Sequence, residues 1–282
     1  MLDLRLRPEE KAALKLRSLY ESYGYSFYRM SRFEEYDFYA DKKDFLTSKS
    51  ILTFTDINGK LMALRPDVTL SIIKHIKNSG SVQKFYYDEK VYRVPKNAGT
   101  FREISQAGVE CVGSLTGSNI REILELALLS LKSVAEGKKY ILDVAHAGIV
   151  AELLKENSNK NEILKCIAAK NLHGLKNFNA PEKIIDLMEL DGSIKNSLGK
   201  FDEGTAEIIN SLENYHDAIK IDFSAVNNLN YYNGIVFRGF VEGIPESILS
   251  GGQYDGLMAL MGHKKSKAVG FAVYLDAIRN EE

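Results

Sequence analysis

The sequence predicts an α+β protein: an antiparallel sheet flanked by helices, with a helical insertion over about residues 148–216. Three observations carry this reading. Strand-like runs follow one another across short turns, which disfavours a parallel, Rossmann-like sheet. The stretch 148–216 changes to short helical patterns with polar joints, Asn157 to Asn161, Pro181 and Gly192, and holds no convincing strand. Finally, 282 residues at 45% hydrophobic are ample for an apolar core without a disulfide or metal staple.

Pro8 and the acidic pair Glu9-Glu10 suit the first turn of a helix over 8–23, which Gly24 closes. Ala12, Leu14, Leu16, Leu19 and Tyr20 form its broad apolar stripe. Tyr25 to Met30 has the aromatic content of a strand. Ile51–Phe54 and Leu61–Leu64 flank Asn58-Gly59, a strong hairpin signal. Asp67 then opens a helix through Lys77, with Asp67 or Thr69 available to cap it. Strands are predicted at Gln83–Arg93 and Phe101–Val112, joined by the turn-rich segment 94–100. A long helix runs from Ser118 to about Ala135, and Tyr140–Val144 is a short buried strand. After the helical stretch, strands return at Ala218–Phe223, Gly234–Phe240 and Ala268–Val273, with a Gly251-Gly252 turn between them and a last helix at the end.

Composition excludes several function classes. With 37 basic against 38 acidic side chains, the formal charge is −1, unsuited to a protein whose main task is gripping a phosphate backbone. No segment approaches the ~18 apolar residues of a membrane span, and the N-terminus is no signal peptide, so a cytoplasmic location is expected. Cys111 and Cys166 lack metal-ligand spacing, and none of the histidines (75, 146, 173, 216, 263) stands four residues from another ligand, so no metal or other cofactor is expected. There is no nucleophile elbow, and Gly251-Gly252 lacks the lysine of a phosphate-binding loop.

Polar groups concentrate in three apolar settings. In Arg65-Pro-Asp-Val-Thr69, a carboxylate and a hydroxyl at a helix start can bind an ammonium group or simply cap the helix; taken alone, the cap is the stronger reading. In Phe101–Glu110, alternation puts Arg102, Ile104, Gln106, Gly108 and Glu110 on one face. That row is either the floor of a polar pocket or a solvated face opposite Ala107 and Val109. In Asn227–Asn233, Tyr231 and Tyr232 offer flat walls and hydroxyls to a small polar ligand, or pack a sheet edge.

Taken in order, these segments resemble the catalytic core of class II aminoacyl-tRNA synthetases, specifically histidyl-tRNA synthetase. Leu64-Arg-Pro-Asp-Val-Thr69 resembles that family's histidine-binding Arg-Pro-Glu-Gly-Thr loop. Tyr92-Arg93 with Phe101–Glu110 resembles the second class-defining motif, and Leu229-Asn-Tyr-Tyr232 the family's Leu-Asp-Tyr-Tyr. Ser250–Leu257 with Val269–Ala272 resembles the approach to the third motif. The resemblance runs from near residue 8 to the C-terminus and implies a sheet of six or seven antiparallel strands in one domain, residues 1–282. It also implies a histidine pocket made by Asp67, Thr69, Arg93, Gln106, Glu110, Tyr231 and Tyr232. Either carboxylate can take the ammonium or the imidazole, and Arg93, a phosphate ligand in the synthetases, can pair with the ligand carboxylate.

The departures from the family cluster in its nucleotide half. Asn227 stands where the synthetase has an arginine that stabilises charge during amino-acid activation, a loss worth several kcal/mol of transition-state stabilisation. Ala277 stands at the third motif's ATP-holding arginine, and bulky Tyr274 at its small glycine. The loop after Arg93 lacks the family's glutamate, and no anticodon-binding domain is expected. The resemblance therefore narrows to the non-catalytic, synthetase-like regulatory subunits of ATP phosphoribosyltransferase. It implies a short-form catalytic subunit as partner, L-histidine as feedback effector, a homodimer within a hetero-oligomer, and neither tRNA nor membrane as partner. The dimer is expected through the N-terminal helix and the strand after it, although Ser31 replaces the usual first-motif proline. The competing expectation is a truncated synthetase-like enzyme that activates an amino acid with ATP, which Arg93 and Arg102 favour.

Overall fold

Helix α1 (Pro8–Ser22) buries Ala12, Leu16 and Tyr20, a strict i, i+4, i+8 row, against the main core. Leu14 lies off that row and stays 48% exposed, so the stripe is narrower than the composition suggests. The Glu10 carboxylate accepts from the Arg7 amide at 2.9 Å, and Gly24 (φ +80°) ends the helix in a conformation that favours glycine. The computed structural model describes residues 6–46, 50–76, 80–94, 99–226 and 228–279. Lys77, the expected end of the second helix, lies outside them, as does most of the joining segment 94–100.

Strand β1 (Ser26–Phe27) is much shorter than predicted. A small three-stranded sheet follows, from β2 (Phe33–Glu35), β3 (Thr53–Thr55) and β4 (Leu61–Leu64), with helix α2 (Tyr36–Ala40) after β2. The expected Asn58-Gly59 turn joins β3 to β4: Asp56 Oδ1 accepts from the amides of Asn58 and Lys60, and Gly59 takes φ +80°. Helix α3 (Val68–His75) begins at Asp67, whose carboxylate caps it by accepting from the Leu70 amide at 2.9 Å.

The long hairpin β5 (Gln83–Arg93) and β6 (Arg102–Gly113) supplies the two longest strands of the main sheet. Helix α4 (Gly117–Ala135) follows and packs on the other strands of that sheet, the next of which is β7 (Tyr140–His146). Six helices come next: α5 (Ala147–Leu153), α6 (Lys160–Ala168), α7 (Leu172–Asn177), α8 (Glu182–Met188), α9 (Ile194–Ser197) and α10 (Glu203–Asn210). The chain then adds β8 (Ile219–Ile221), β9 (Ile235–Val241), β10 (Leu249–Gln253), α11 (Asp255–Leu260), β11 (Lys267–Tyr274) and α12 (Leu275–Arg279).

The main sheet corrects the expected six or seven antiparallel strands. It has eight, ordered β1-β5-β6-β11-β10-β9-β7-β8, and it is mixed. The two edge strands, β1 and β8, pair in parallel with β5 and β7, while the inner pairs are antiparallel. A parallel pair needs a crossover, and the helices α5–α10 supply it between β7 and β8. The expected Gly251-Gly252 turn is instead the middle of β10, between β9 and β11. A Cβ at Gly251 would meet Gly270 and Phe271 on β11, and one at Gly252 would meet the Tyr232 ring. Close backbone approach, not a turn, demands those glycines. One face of the sheet packs on α1 and α4 as the main core; the other carries the cavity described next.

Candidate functional site

Strand β6 builds the floor of the site. Its alternating side chains send Ala107, Val109 and Cys111 into the helix-covered core and Gln106 and Glu110 into a cavity of about 330 Å³. The row is not a solvated face: the apolar set is turned inward, and at Gln106 and Glu110 the opposite face is covered too. Gln106 and Glu110 are buried, whereas Arg102, at the start of the strand, is exposed and does not line the cavity. Asp67, Thr69, Arg93, Tyr231 and Tyr232 also line it, so all seven expected pocket residues converge. Asn227 lies outside the described residues, and Ala277 packs against the main core on α12, away from the cavity wall.

Glu110 is the centre of an acidic corner. The Thr69 hydroxyl donates to its Oε1 at 2.6 Å and the Tyr254 hydroxyl to its Oε2 at 2.5 Å. Burial pushes the Glu110 carboxyl up to about 8; the two hydroxyls oppose that rise and the charge of Asp67 adds to it. Burial also raises Asp67, against the pull of the Leu70 amide and the Arg93 charge. Asp67 thus does both things its sequence left open: it caps α3 and faces the cavity. Tyr231, Tyr232 and Tyr254 form the aromatic wall, with ring centroids 4.8 Å apart for the first pair and 5.9 Å for Tyr231 and Tyr254. Burial drives all three phenols up, so they act as neutral hydroxyls.

Support for this corner comes from residues outside the predicted set. Arg65, fully buried, donates to the Ser31 carbonyl at 2.7 Å, the Lys90 carbonyl at 2.9 Å and Glu89 at 2.7 Å. It thereby ties the start of α3 to β5, the strand that ends at Arg93. A Cβ at Gly270 would collide with the Glu110 carboxylate, and one at Gly108 would stand 2.5 Å from the Tyr87 hydroxyl. Arg238, Ser250 and Tyr274 also line the cavity, and the hydroxyls of the last two pair at 2.6 Å. Arg65 and Tyr254 lie in motifs that the sequence singled out, but nothing local marked their roles, and Arg238 carried no local signal; pairing across strands brings them together.

Chemically, the cavity offers two carboxylates, neutral hydroxyl donors, an amide and arginine side chains. It suits a small, polar, multiply charged metabolite better than an apolar one.

Known proteins match this arrangement over nearly the whole chain. A family model described as histidyl-tRNA synthetase matches residues 1–278. The chain is 30% identical to an ATP phosphoribosyltransferase regulatory subunit of Caldanaerobacter subterraneus subsp. tengcongensis, over 94% of this chain and 76% of that protein. It is 28% identical to a histidine–tRNA ligase of Methanococcus maripaludis, over 98% of this chain and 73% of that protein. Among solved structures, an ATP phosphoribosyltransferase regulatory subunit/histidyl-tRNA synthetase from Bacillus halodurans superposes with a TM-score of 0.81 at 22% identity, covering 96% and 78% of the two chains. A chain of the ATP phosphoribosyl transferase (HisG:HisZ) complex from Thermotoga maritima superposes at 0.74 and 20% identity, covering 95% and 97%. Fold, ordered motifs and family model agree: the chain belongs to the histidyl-tRNA synthetase family.

Proposed function

We propose that the chain is a non-catalytic regulatory subunit of ATP phosphoribosyltransferase, and that its cavity binds L-histidine as a feedback effector. The observation that carries this reading is the closed acidic corner at Glu110, with Asp67 and Arg93 in the same cavity. A bound ammonium or imidazolium favours the ionised form of Asp67 and Glu110 against their burial, and a guanidinium complements a carboxylate. The amino-acid half of a synthetase site is thus retained, while Asn227 and Ala277 stand in for its activating arginines. The names of relatives, ATP phosphoribosyltransferase regulatory subunits among them, support a catalytic subunit of that enzyme as partner; in this reading the partner is the short form, which the chain joins as a homodimer within a hetero-oligomer. Feedback then requires that histidine bind two states of the assembly unequally.

The test mixes the chain with a short-form catalytic subunit and assays phosphoribosyl transfer with and without histidine. Activation by the chain and inhibition by histidine are expected, and Glu110→Ala should abolish the inhibition while sparing the activation. Failure to activate overturns the regulatory reading. The competing reading, a truncated enzyme activating an amino acid with ATP, draws on the cations Arg93 and Arg238 in the cavity. Histidine-dependent exchange of pyrophosphate into ATP by the chain alone would establish it instead.

A further inference from the structure

The sequence holds two Asn-Gly pairs, Asn58-Gly59 and Asn233-Gly234, and the fold treats them oppositely. Asparagine before glycine is chemically labile, because a residue without Cβ leaves its amide nitrogen free to reach the preceding side-chain carbonyl. Asn233 is held: its Oδ1 accepts from the Asp255 amide at 2.9 Å, and its own N–H donates to the Gln253 carbonyl at 3.0 Å. Gly234 is buried, and a Cβ there would stand 2.2 Å from Gln253 Oε1. Its carbonyl accepts from the Ala147 amide at 2.8 Å, which ties the pair to the start of α5.

Asn58-Gly59 stands at the tip of the β3–β4 hairpin, beside the fully exposed Ile57. The Asn58 side-chain amide has no hydrogen-bond partner among the described residues, and a Cβ at Gly59 would meet nothing within 4 Å. The Gly59 nitrogen is tied by a 3.1 Å hydrogen bond to the Asp56 carbonyl. Since β3 is an edge strand with all three residues exposed, this turn opens at low cost. We propose that Asn58 is a site of spontaneous deamidation, converting to aspartate and isoaspartate through a cyclic succinimide, while Asn233 is spared. The Gly59 nitrogen, its proton lost to hydroxide, attacks Asn58 Cγ. The new N–Cγ bond closes the ring, the Cγ–Nδ2 bond breaks, and Nδ2 leaves as ammonia. Water then opens the ring at either carbonyl. Breaking the new N–Cγ bond leaves aspartate; breaking the original peptide C–N bond leaves isoaspartate, whose main chain runs through Cβ. The isoaspartate form lengthens the turn and disturbs the Asp56–Lys60 pair that sets β3 against β4. The modification is independent of what the cavity binds.

The experiment incubates the full chain at pH 6 and at pH 8.5, then maps it with trypsin. Cleavage after Lys49 and Lys60 releases the peptide 50–60, in which Asn58 is the only asparagine. That peptide should gain the mass of an amide-to-acid conversion, and gain it faster at pH 8.5, where the attacking nitrogen loses its proton more readily. An isoaspartate-specific methyltransferase should label the same peptide. Asn233, read by fragmentation of the peptide 221–238, should convert at least about tenfold more slowly, the factor set by one or two net hydrogen bonds of local opening. Asn58→Gln should abolish the conversion, since the longer side chain closes its ring far less readily. Three results would each overturn the proposal: no mass gain at Asn58, an acid product without isoaspartate, or conversion at Asn233 that keeps pace with Asn58.

Discussion

Glu110 shows how a single side chain joins stability to ligand choice. Its folded carboxyl titrates at about 8 against an ordinary 4.5, so the folded state holds the proton more tightly than the unfolded chain does. The sign follows from linkage: the associated stability is complete below about pH 4.5 and is lost as pH rises through about 8. Asp143, raised to about 6, acts in the same direction at the lower end of that window. The ligand-free protein should thus melt at lower temperature at pH 8.5 than at pH 6, and Glu110→Gln should flatten that dependence; an unchanged slope in the variant would sink the assignment. Gly270 makes the same point from the opposite strand. A methyl there meets the Glu110 carboxylate, so Gly270→Ala should destabilise by about 1–3 kcal/mol, read by chemical denaturation. Gln106 and Glu110 were legible as one face of a strand because a period of two needs no tertiary information. That both faces of this strand are buried was not legible, since it depends on what packs above and below.

Among the elements, α3 is where local and functional roles overlap. Asp67 caps the helix through a hydrogen bond that asparagine can also accept, so the two roles separate by substitution. Asp67→Ala should cost about 1 kcal/mol of stability, whereas Asp67→Asn should retain nearly all of it. Histidine affinity, measured by calorimetry, should fall in both variants if the charge matters to the ligand. Equal affinity in Asp67→Asn and the parent would leave Asp67 a cap alone. Strand β10 was missed for a physical reason: two adjacent glycines read as a turn, but here they let β10 approach Phe271 and Tyr232 closely. β1 and β8, of two and three residues, are too short for alternation to set their partners or direction. The hairpin at Asn58-Gly59 was readable because its turn chemistry is local.

At the scale of the whole molecule, the mixed eight-stranded sheet separates two tasks. One face, under α1 and α4, is apolar core; the other holds the cavity, lined from β5, β6, β9, β10, β11 and the start of α3. Substitutions inside the cavity should therefore leave the outer surface, and with it assembly, intact. Glu110→Ala should co-elute with a short-form catalytic subunit in size-exclusion chromatography as the parent does, while losing histidine binding. Loss of co-elution would place the subunit contact in the cavity's own elements. By itself, the amino-acid sequence determined the helix starts, the Asn-Gly hairpin, the α+β class and the order of the motifs, because caps, turns and alternation act within a few residues. The tertiary structure alone decided the parallel edges, the buried Arg65 tie, the pairing of Tyr254 with Glu110 and the enclosure of the polar cavity. Those depend on strand order and on burial, which set the cost of every unpaired charge and cannot be summed along the chain.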